Sequence, residues 1–293
     1  MQRTFIIGDK WLYYKIYSGV KTADLILTDI ILPVSSKLVN DKLIDKWFFI
    51  RYADPKNHIR WRLHLNENIN IGDVIDIVYS SCKPYISTRL IHLLQTDTYK
   101  RELERYGPNS IELTETLFWN DSVTIVEMIN LIEGDEGEKI RWLFSMRAID
   151  QLLHDFHYKL QQKVEILKTL AENFENEFNI NSSLIKQLSE KYRKEKKDIN
   201  YFMDKKNDIK SPYLPLFQLL DNKSKKSLSV ISEILSHHNN MSQKPLDNLL
   251  GSYIHMLMNR LFRSKQRLHE MVIYGFLFRY YSSELAKIKY KKQ

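Results

Sequence analysis

The stretch HIRWRLHL, residues 58–65, decides how the first half of this chain is read. Taken with a period of two, Ile59, Trp61, Leu63 and Leu65 fall on one side, and Arg60, Arg62 and His64 fall on the other. Such alternation marks a strand with one face in a core. The second face poses a question, because two guanidiniums and an imidazole meet either water or an anion. Residues two apart on a strand stand roughly 7 Å apart. That spacing suits the two ends of a small dicarboxylate or a phosphate, to which arginine presents a planar fork. On pattern alone, a solvated or ion-paired face is the commoner outcome.

Working outward, KWFFIRY (46–52) reads as a second strand and ADPKNH (53–58) supplies turn residues, so the two strands form a β-hairpin. WLYYKIYS (11–18) is a further strand. ADLILTDIILPVSSKLV (23–39) has helical spacing that Pro33 is expected to end or bend. NIGDVIDIVYSSCKPY (70–85) predicts a helix running to Pro84, and STRLIHLLQTDTY (87–99) a strand pair or extended segment. From Gly137, apolar residues from Ile140 to Leu167 recur at three- and four-residue steps, as on one long helix or two abutting ones. NEFNINSS (176–183) breaks that run and a charged helix follows over 182–204. KSPYLPLF (210–217) reads as a connector, with final helices near 224–238, 245–262 and 265–288. The expected fold is α+β, with an antiparallel or mixed sheet from the N-terminal half packed against a mostly helical C-terminal half. Without clear linkers, residues 1–293 read as one domain, sheet-rich over about 1–135 and helical over about 136–293.

Composition narrows the classes of function. Of the 293 residues, 43% are hydrophobic and 27% charged, which is enough for a sizeable core and too apolar for disorder. The chain has no Gly-rich phosphate loop, so a nucleotide-binding fold has no support. Cys82 is the only cysteine, which rules out an intramolecular disulfide or a Cys-based metal cluster and fits a reducing cytoplasm. No secretory signal or membrane-length apolar run is present, so a cytoplasmic location is expected. The net charge of +8 sits partly in KYRKEKK (191–197) and KIKYKKQ (287–293). These are read first as solvated helix faces, and direct nucleic-acid binding is not expected.

Three further places carry candidate chemistry. In YKRELERYGP (99–108), Glu102 with Arg105 and Arg101 with Glu104 are three apart, and each could form a surface ion pair. In SYIHMLMNRLF (252–262), His255 and Asn259 are four apart among apolar neighbours. A histidine so placed is more often a core residue than a catalyst, though its ordinary pKa suits proton transfer. His154 and His157 lack a third ligand at a convincing spacing, so no metal is expected. The adjacent His237 and His238 read as surface residues.

Taken in order, WLYYKIYSG, FFIRYADPKNHIRWRL, YKRELERYG, LFWNDS and SYIHMLMNRLF resemble the elimination domain of class I lantibiotic dehydratases. That domain family includes stand-alone thiopeptide-type bacteriocin biosynthesis proteins. The resemblance runs from Trp11 to the C-terminal helices and rests on the ordered set of motifs. It implies a lyase that removes glutamate from glutamylated Ser or Thr of a ribosomal precursor peptide, leaving dehydroalanine or dehydrobutyrine. It implies catalytic roles for His255, Arg62, Arg105 and Glu102, with Arg60 on the substrate side; His64, which continues the cationic strand face, and Asn259, which shares the His255 face, are read beside it as substrate-side residues. No cofactor is implied. The partners implied are the precursor peptide, a separate tRNA-dependent glutamylating chain (a split dehydratase) and a downstream lanthionine cyclase. Trp61 between the arginines and Pro108 after Gly107 depart from the family pattern without removing a functional group. Two alternatives are a thiopeptide-type [4+2] cycloaddition enzyme, which has no glutamate to hold, and a non-catalytic peptide- or tRNA-binding subunit.

Overall fold

A computed structural model describes residues 1–132, 136–178, 180–204, 209–238 and 242–291. The chain separates into two compact units. The first comprises Met1–Leu131, Ser229–Asn239 and Asn259–Ser264, and the second comprises Ile132–Leu228, Asn240–Met258 and Lys265–Gln293.

The first unit is built on an antiparallel sheet in the order β3-β4-β2-β5, from β2 (Trp11–Ser18), β3 (Ile44–Ala53), β4 (Asn57–Leu65) and β5 (Ile91–Thr96). The β3–β4 hairpin forms as the turn residues predict. In β4, Ile59, Trp61 and Leu63 are fully buried, and Trp61 donates its indole N–H to Ser35 Oγ at 3.2 Å. Ser35 lies on α2 (Leu32–Asn40), which continues α1 (Thr22–Ile26) through a π turn at Leu27–Ile31. Pro33 therefore does not end this helix. It sits in the first turn of α2, just after the wider turn in which the Leu32 N–H reaches the Leu27 carbonyl. α3 (Ile71–Ser87) is capped by the Asn70 side chain and buries Val74, Val78 and Cys82 at four-residue steps. It runs three residues past Pro84, because the carbonyl that the ring deprives of its partner belongs to exposed Ser80 and can turn to water. β5 and β6 (Tyr99–Lys100) are not partners of each other. β5 joins β2, and β6 pairs with β1 (Thr4–Phe5) in a separate two-stranded sheet. α4 (Leu103–Tyr106) is a single turn closed by Gly107, whose φ of +75° together with ψ of 147° is a combination confined to glycine, and α5 (Ile111–Leu131) packs against β3.

The second unit is helical. The long periodic run resolves into α6 (Glu136–Asp155) and α7 (Leu160–Glu177), followed by α8 (Ser182–Met203), α9 (Leu214–Ser236), α10 (Gln243–Leu261) and α11 (Gln266–Tyr290). α9 begins inside the stretch expected to be a connector, because Pro215 is tolerated in a helix's first turn. α9 and α10 each contribute residues to both units. Within the second unit, α11 lies along α7, and Leu143, Phe144, Ile149, Leu153, Phe156 and Leu167 are buried as their spacing predicts. The break between α6 and α7 is a Schellman turn. His157 takes φ +63°, its N–H bonds the His154 carbonyl, and the Tyr158 N–H bonds the Leu153 carbonyl. The same pattern closes α2 at Lys42 and α3 at Arg89. With only eight glycines in the chain, side-chain-bearing residues occupy these left-handed positions, at a cost of about 1–2 kcal/mol each. Among the described residues no helix is long and apolar enough to cross a membrane.

Candidate active site

In the first unit the second face of β4 carries the candidate chemistry. Register places Arg62 opposite Tyr13 of β2 and Phe48 of β3, and Arg60 opposite Lys15 and Ile50. Directly opposed residues share a face, so Arg60, Arg62 and Lys15 project on one side of the sheet. Lys15 is ion-paired with Asp97. The Arg60 guanidinium lies 3.5 Å from the centre of the Tyr52 ring, and its Nε donates to His58 Nε2 at 3.2 Å. His58 Nδ1 in turn donates to the Lys56 carbonyl at 2.9 Å, the tautomer that leaves Nε2 free to accept. Burial lowers the His58 pKa and keeps the ring neutral beside Arg60.

Arg62 is the unusual residue. Its guanidinium sits among three rings, 4.6 Å from Tyr13, 5.1 Å from Phe48 and 4.7 Å from Tyr99. The residue is buried, its Nε has no hydrogen-bond partner, and no carboxylate of the described residues lies within 4.0 Å. Burial pushes its pKa below the usual arginine value, and the nearby Tyr99 and Tyr13 oppose that shift. The other three buried arginines of this unit each have an acid. Arg51 Nη2 meets Asp24 at 2.5 Å, Arg260 Nη1 lies 3.9 Å from Asp121, and Arg101 grips Glu115 with two bonds of 2.7 Å.

The remaining expected residues are placed as follows. Arg105 and Glu102 form an ion pair of 3.2 Å on the exposed side of α4. The expected Arg101–Glu104 pair does not form, because Arg101 turns inward to Glu115 while Glu104 pairs with Arg3 at 2.7 Å. Helical spacing misled there, since α4 starts only at Leu103 and Arg101 precedes it. His64 lies at the strand end, its Nδ1 2.6 Å from Asp45 and its ring 4.9 Å from Trp11. The Asn259 amide is committed to the backbone of β3, accepting from the Arg51 N–H at 2.9 Å and donating to the Arg51 carbonyl at 2.8 Å. Tyr13 and Tyr99, which complete the box around Arg62, were not among the expected site residues. The Tyr13–Arg62 pairing follows only once strand register is known.

In the second unit His255 lies on α10, and its Nδ1 is 2.7 Å from Glu270 Oε1 on α11. The imidazole side chain is 34% exposed and the acid not at all. Glu270 had no distinguishing signal in the sequence. The same unit holds a cavity of about 630 Å³ lined by Lys139, Leu143, Asp198, Tyr201, Phe202 and Tyr213, none of which was singled out for chemistry. His157 is a turn residue, and among the described residues no group of three His, Cys, Asp or Glu side chains could hold a metal. In the first unit, His237 and His238 are half-buried rather than fully exposed, and His238 Nδ1 donates to the Ile234 carbonyl at 2.8 Å.

The family model described as lantibiotic biosynthesis dehydratase C-term matches residues 11–281. The nisin biosynthesis protein NisB of Lactococcus lactis subsp. lactis is 26% identical over 242 residues, covering 79% of this chain and 23% of NisB. The chain thus spans about a quarter of that relative's length. The crystal structure of the tRNA-dependent lantibiotic dehydratase MibB from Microbispora sp. 107891 has the same fold over 93% of this chain and 28% of MibB, with a TM-score of 0.74 at 17% identity. The pyridine synthase TbtD from thiomuracin biosynthesis is similar in fold over 96% of this chain and all of that one, with a TM-score of 0.63 at 10% identity.

Proposed function

Because the chain belongs to the lantibiotic biosynthesis dehydratase C-terminal family, we propose that it catalyses glutamate elimination from glutamylated Ser or Thr side chains of a precursor peptide. The observation that carries this reading is Arg62, a buried cation boxed by aromatic rings with no carboxylate of the described residues within 4.0 Å. A buried charge without a counter-charge is costly, and a chain that keeps one gains most when an anion arrives. The leaving group of the elimination is such an anion, the glutamate carboxylate.

The reaction breaks the Cα–H bond and the Cβ–O ester bond and forms a Cα=Cβ double bond. A base takes the α-proton, negative charge builds toward an enolate, and glutamate leaves with the Cβ–O electron pair. In this reading His255 moves the proton, and Arg60 and Arg62 hold the glutamyl group and the charge that develops on it. Arg105 contributes a further cation, oriented by Glu102 at 3.2 Å. His64 and Asn259 take lesser parts on the substrate side, His64 beside Asp45 and Asn259 through the strand that it clamps. Glutamylation itself is assigned to a tRNA-dependent partner chain, and the dehydrated product to a lanthionine cyclase.

Mass spectrometry of a synthetic peptide carrying one glutamate-esterified serine tests the reading. Loss of glutamate with formation of dehydroalanine is expected only when the protein is present. If a competent substrate is left intact, elimination is the wrong reaction, and a peptide bearing two dehydroalanines becomes the next substrate.

A further inference from the structure

We infer that Glu270 is a positioning residue that fixes the tautomer of His255, so that Nε2 is the nitrogen that exchanges the substrate proton. The inference rests on the role given to His255 above. Glu270 lies on α11 with no side-chain exposure, and four groups converge on its carboxylate. Oε1 lies 2.7 Å from His255 Nδ1, 3.1 Å from Gln266 Nε2 and 3.3 Å from the Tyr274 hydroxyl, and Oε2 accepts from Arg267 Nη1 at 3.1 Å. Arg267 is itself held, with its guanidinium 4.2 Å from the Phe174 ring and paired to Glu177.

The hydrogens can be assigned from this network. The Gln266 amide has two N–H bonds and faces two oxygens, Glu270 Oε1 at 3.1 Å and the His255 carbonyl at 3.2 Å. It also lies 3.3 Å from His255 Nδ1, but both hydrogens are already directed at oxygens. The carboxylate can only accept, so the hydrogen on the 2.7 Å contact belongs to Nδ1. In the neutral ring Nε2 then keeps the lone pair. A carboxylate that only stabilised the fold would be an expensive choice at a site without exposure, where an apolar residue of similar volume serves as well or better. A carboxylate that holds an imidazole in one tautomer and stabilises it once protonated has a chemical use.

The test combines turnover with a direct view of the imidazole. Protein with ¹⁵N-labelled histidine is compared with Glu270→Leu, Glu270→Gln and His255→Ala, the last identifying the His255 resonances by their loss. The wild-type spectrum is expected to show His255 protonated on Nδ1. In Glu270→Leu the Nε2–H form appears, and kcat on the glutamate-esterified peptide falls by at least roughly a hundredfold with KM little changed. Glu270→Gln keeps the shape but turns its NH2 group away from the donor Arg267 and toward Nδ1, so it is expected to show the Nε2–H tautomer and a lowered kcat with packing preserved. A purely structural Glu270 would move the melting temperature and leave the tautomer and the kcat-to-KM split alone. An Nε2–H tautomer in the wild type overturns the inference without any variant. Wild-type turnover by Glu270→Leu, with His255→Ala inactive, overturns it while leaving the proposed function standing. Wild-type turnover by His255→Ala removes the role on which both rest.

Discussion

Arg62 and Arg101 are both buried arginines of the first unit, and both adjoin Tyr99. The Tyr99 ring lies 4.7 Å from the Arg62 guanidinium, and its hydroxyl donates to Glu115 Oε1 at 2.8 Å, the acid that Arg101 grips. Around Arg101 every charge is answered. Burial is the largest single influence and would depress its pKa, but the hydrogen bonds and charge of Glu115, with Tyr99 and Glu112, together outweigh it and the net shift is upward. Around Arg62 no acid of the described residues is within 4.0 Å, and burial is not overcome by the attraction of Tyr99, Tyr13 and the more distant Glu102, so the net shift is downward. One tyrosine thus separates a cation that holds the fold from a cation held ready. The lesson is that burial alone does not mark a functional residue; burial without a partner does.

Four substitutions break or sharpen that comparison. Arg101→Ala strands Glu115, which has no exposure, and is expected to cost about 3–5 kcal/mol, read as a lowered denaturant midpoint. Arg62→Met should do the opposite, with stability unchanged or slightly raised and turnover of the esterified peptide reduced by about a hundredfold. Equal losses of stability in these two variants would erase the distinction between them. Asn259→Ala removes two bonds to the β3 backbone and is expected to cost about 1–3 kcal/mol, with faster amide exchange at Arg51. Arg3→Ala breaks an exposed pair with Glu104 and should leave the denaturant midpoint almost unchanged, in low salt as in high. A larger loss there would mean that the β1–β6 ribbon matters more to the fold than its exposure suggests.

The strands of this fold were legible because their period is short and their faces differ in chemistry. HIRWRLHL announced Ile59, Trp61 and Leu63 as core, and WLYYKIYS and KWFFIRY announced its two neighbours. Helix ends were less legible. A chain poor in glycine closes helices on Lys42, Arg89 and His157, and none of these advertises a left-handed turn. Proline misled at Pro33 and Pro84, because each sits where the missing N–H costs little. At the candidate site the arginines could be named from their motif, but their electrostatic state could not. Whether an arginine meets Glu115 or no acid depends on contacts across elements, which local spacing does not encode. Glu270 was invisible for the same reason, since it reaches His255 from another helix.

The outer edge of β3 has a consequence for how this protein behaves in company. The Phe49 N–H bonds Ser122 Oγ at 3.1 Å, and two residues on, Asn259 answers both the N–H and the carbonyl of Arg51. Side chains from two helices thus stand where the backbone of another strand would have to bond. A stray β-segment, whether from a second molecule or from an unfolded neighbour, finds those donors and acceptors already spoken for. Between Phe49 and Arg51 this border of the sheet is blunted against the addition of a strand.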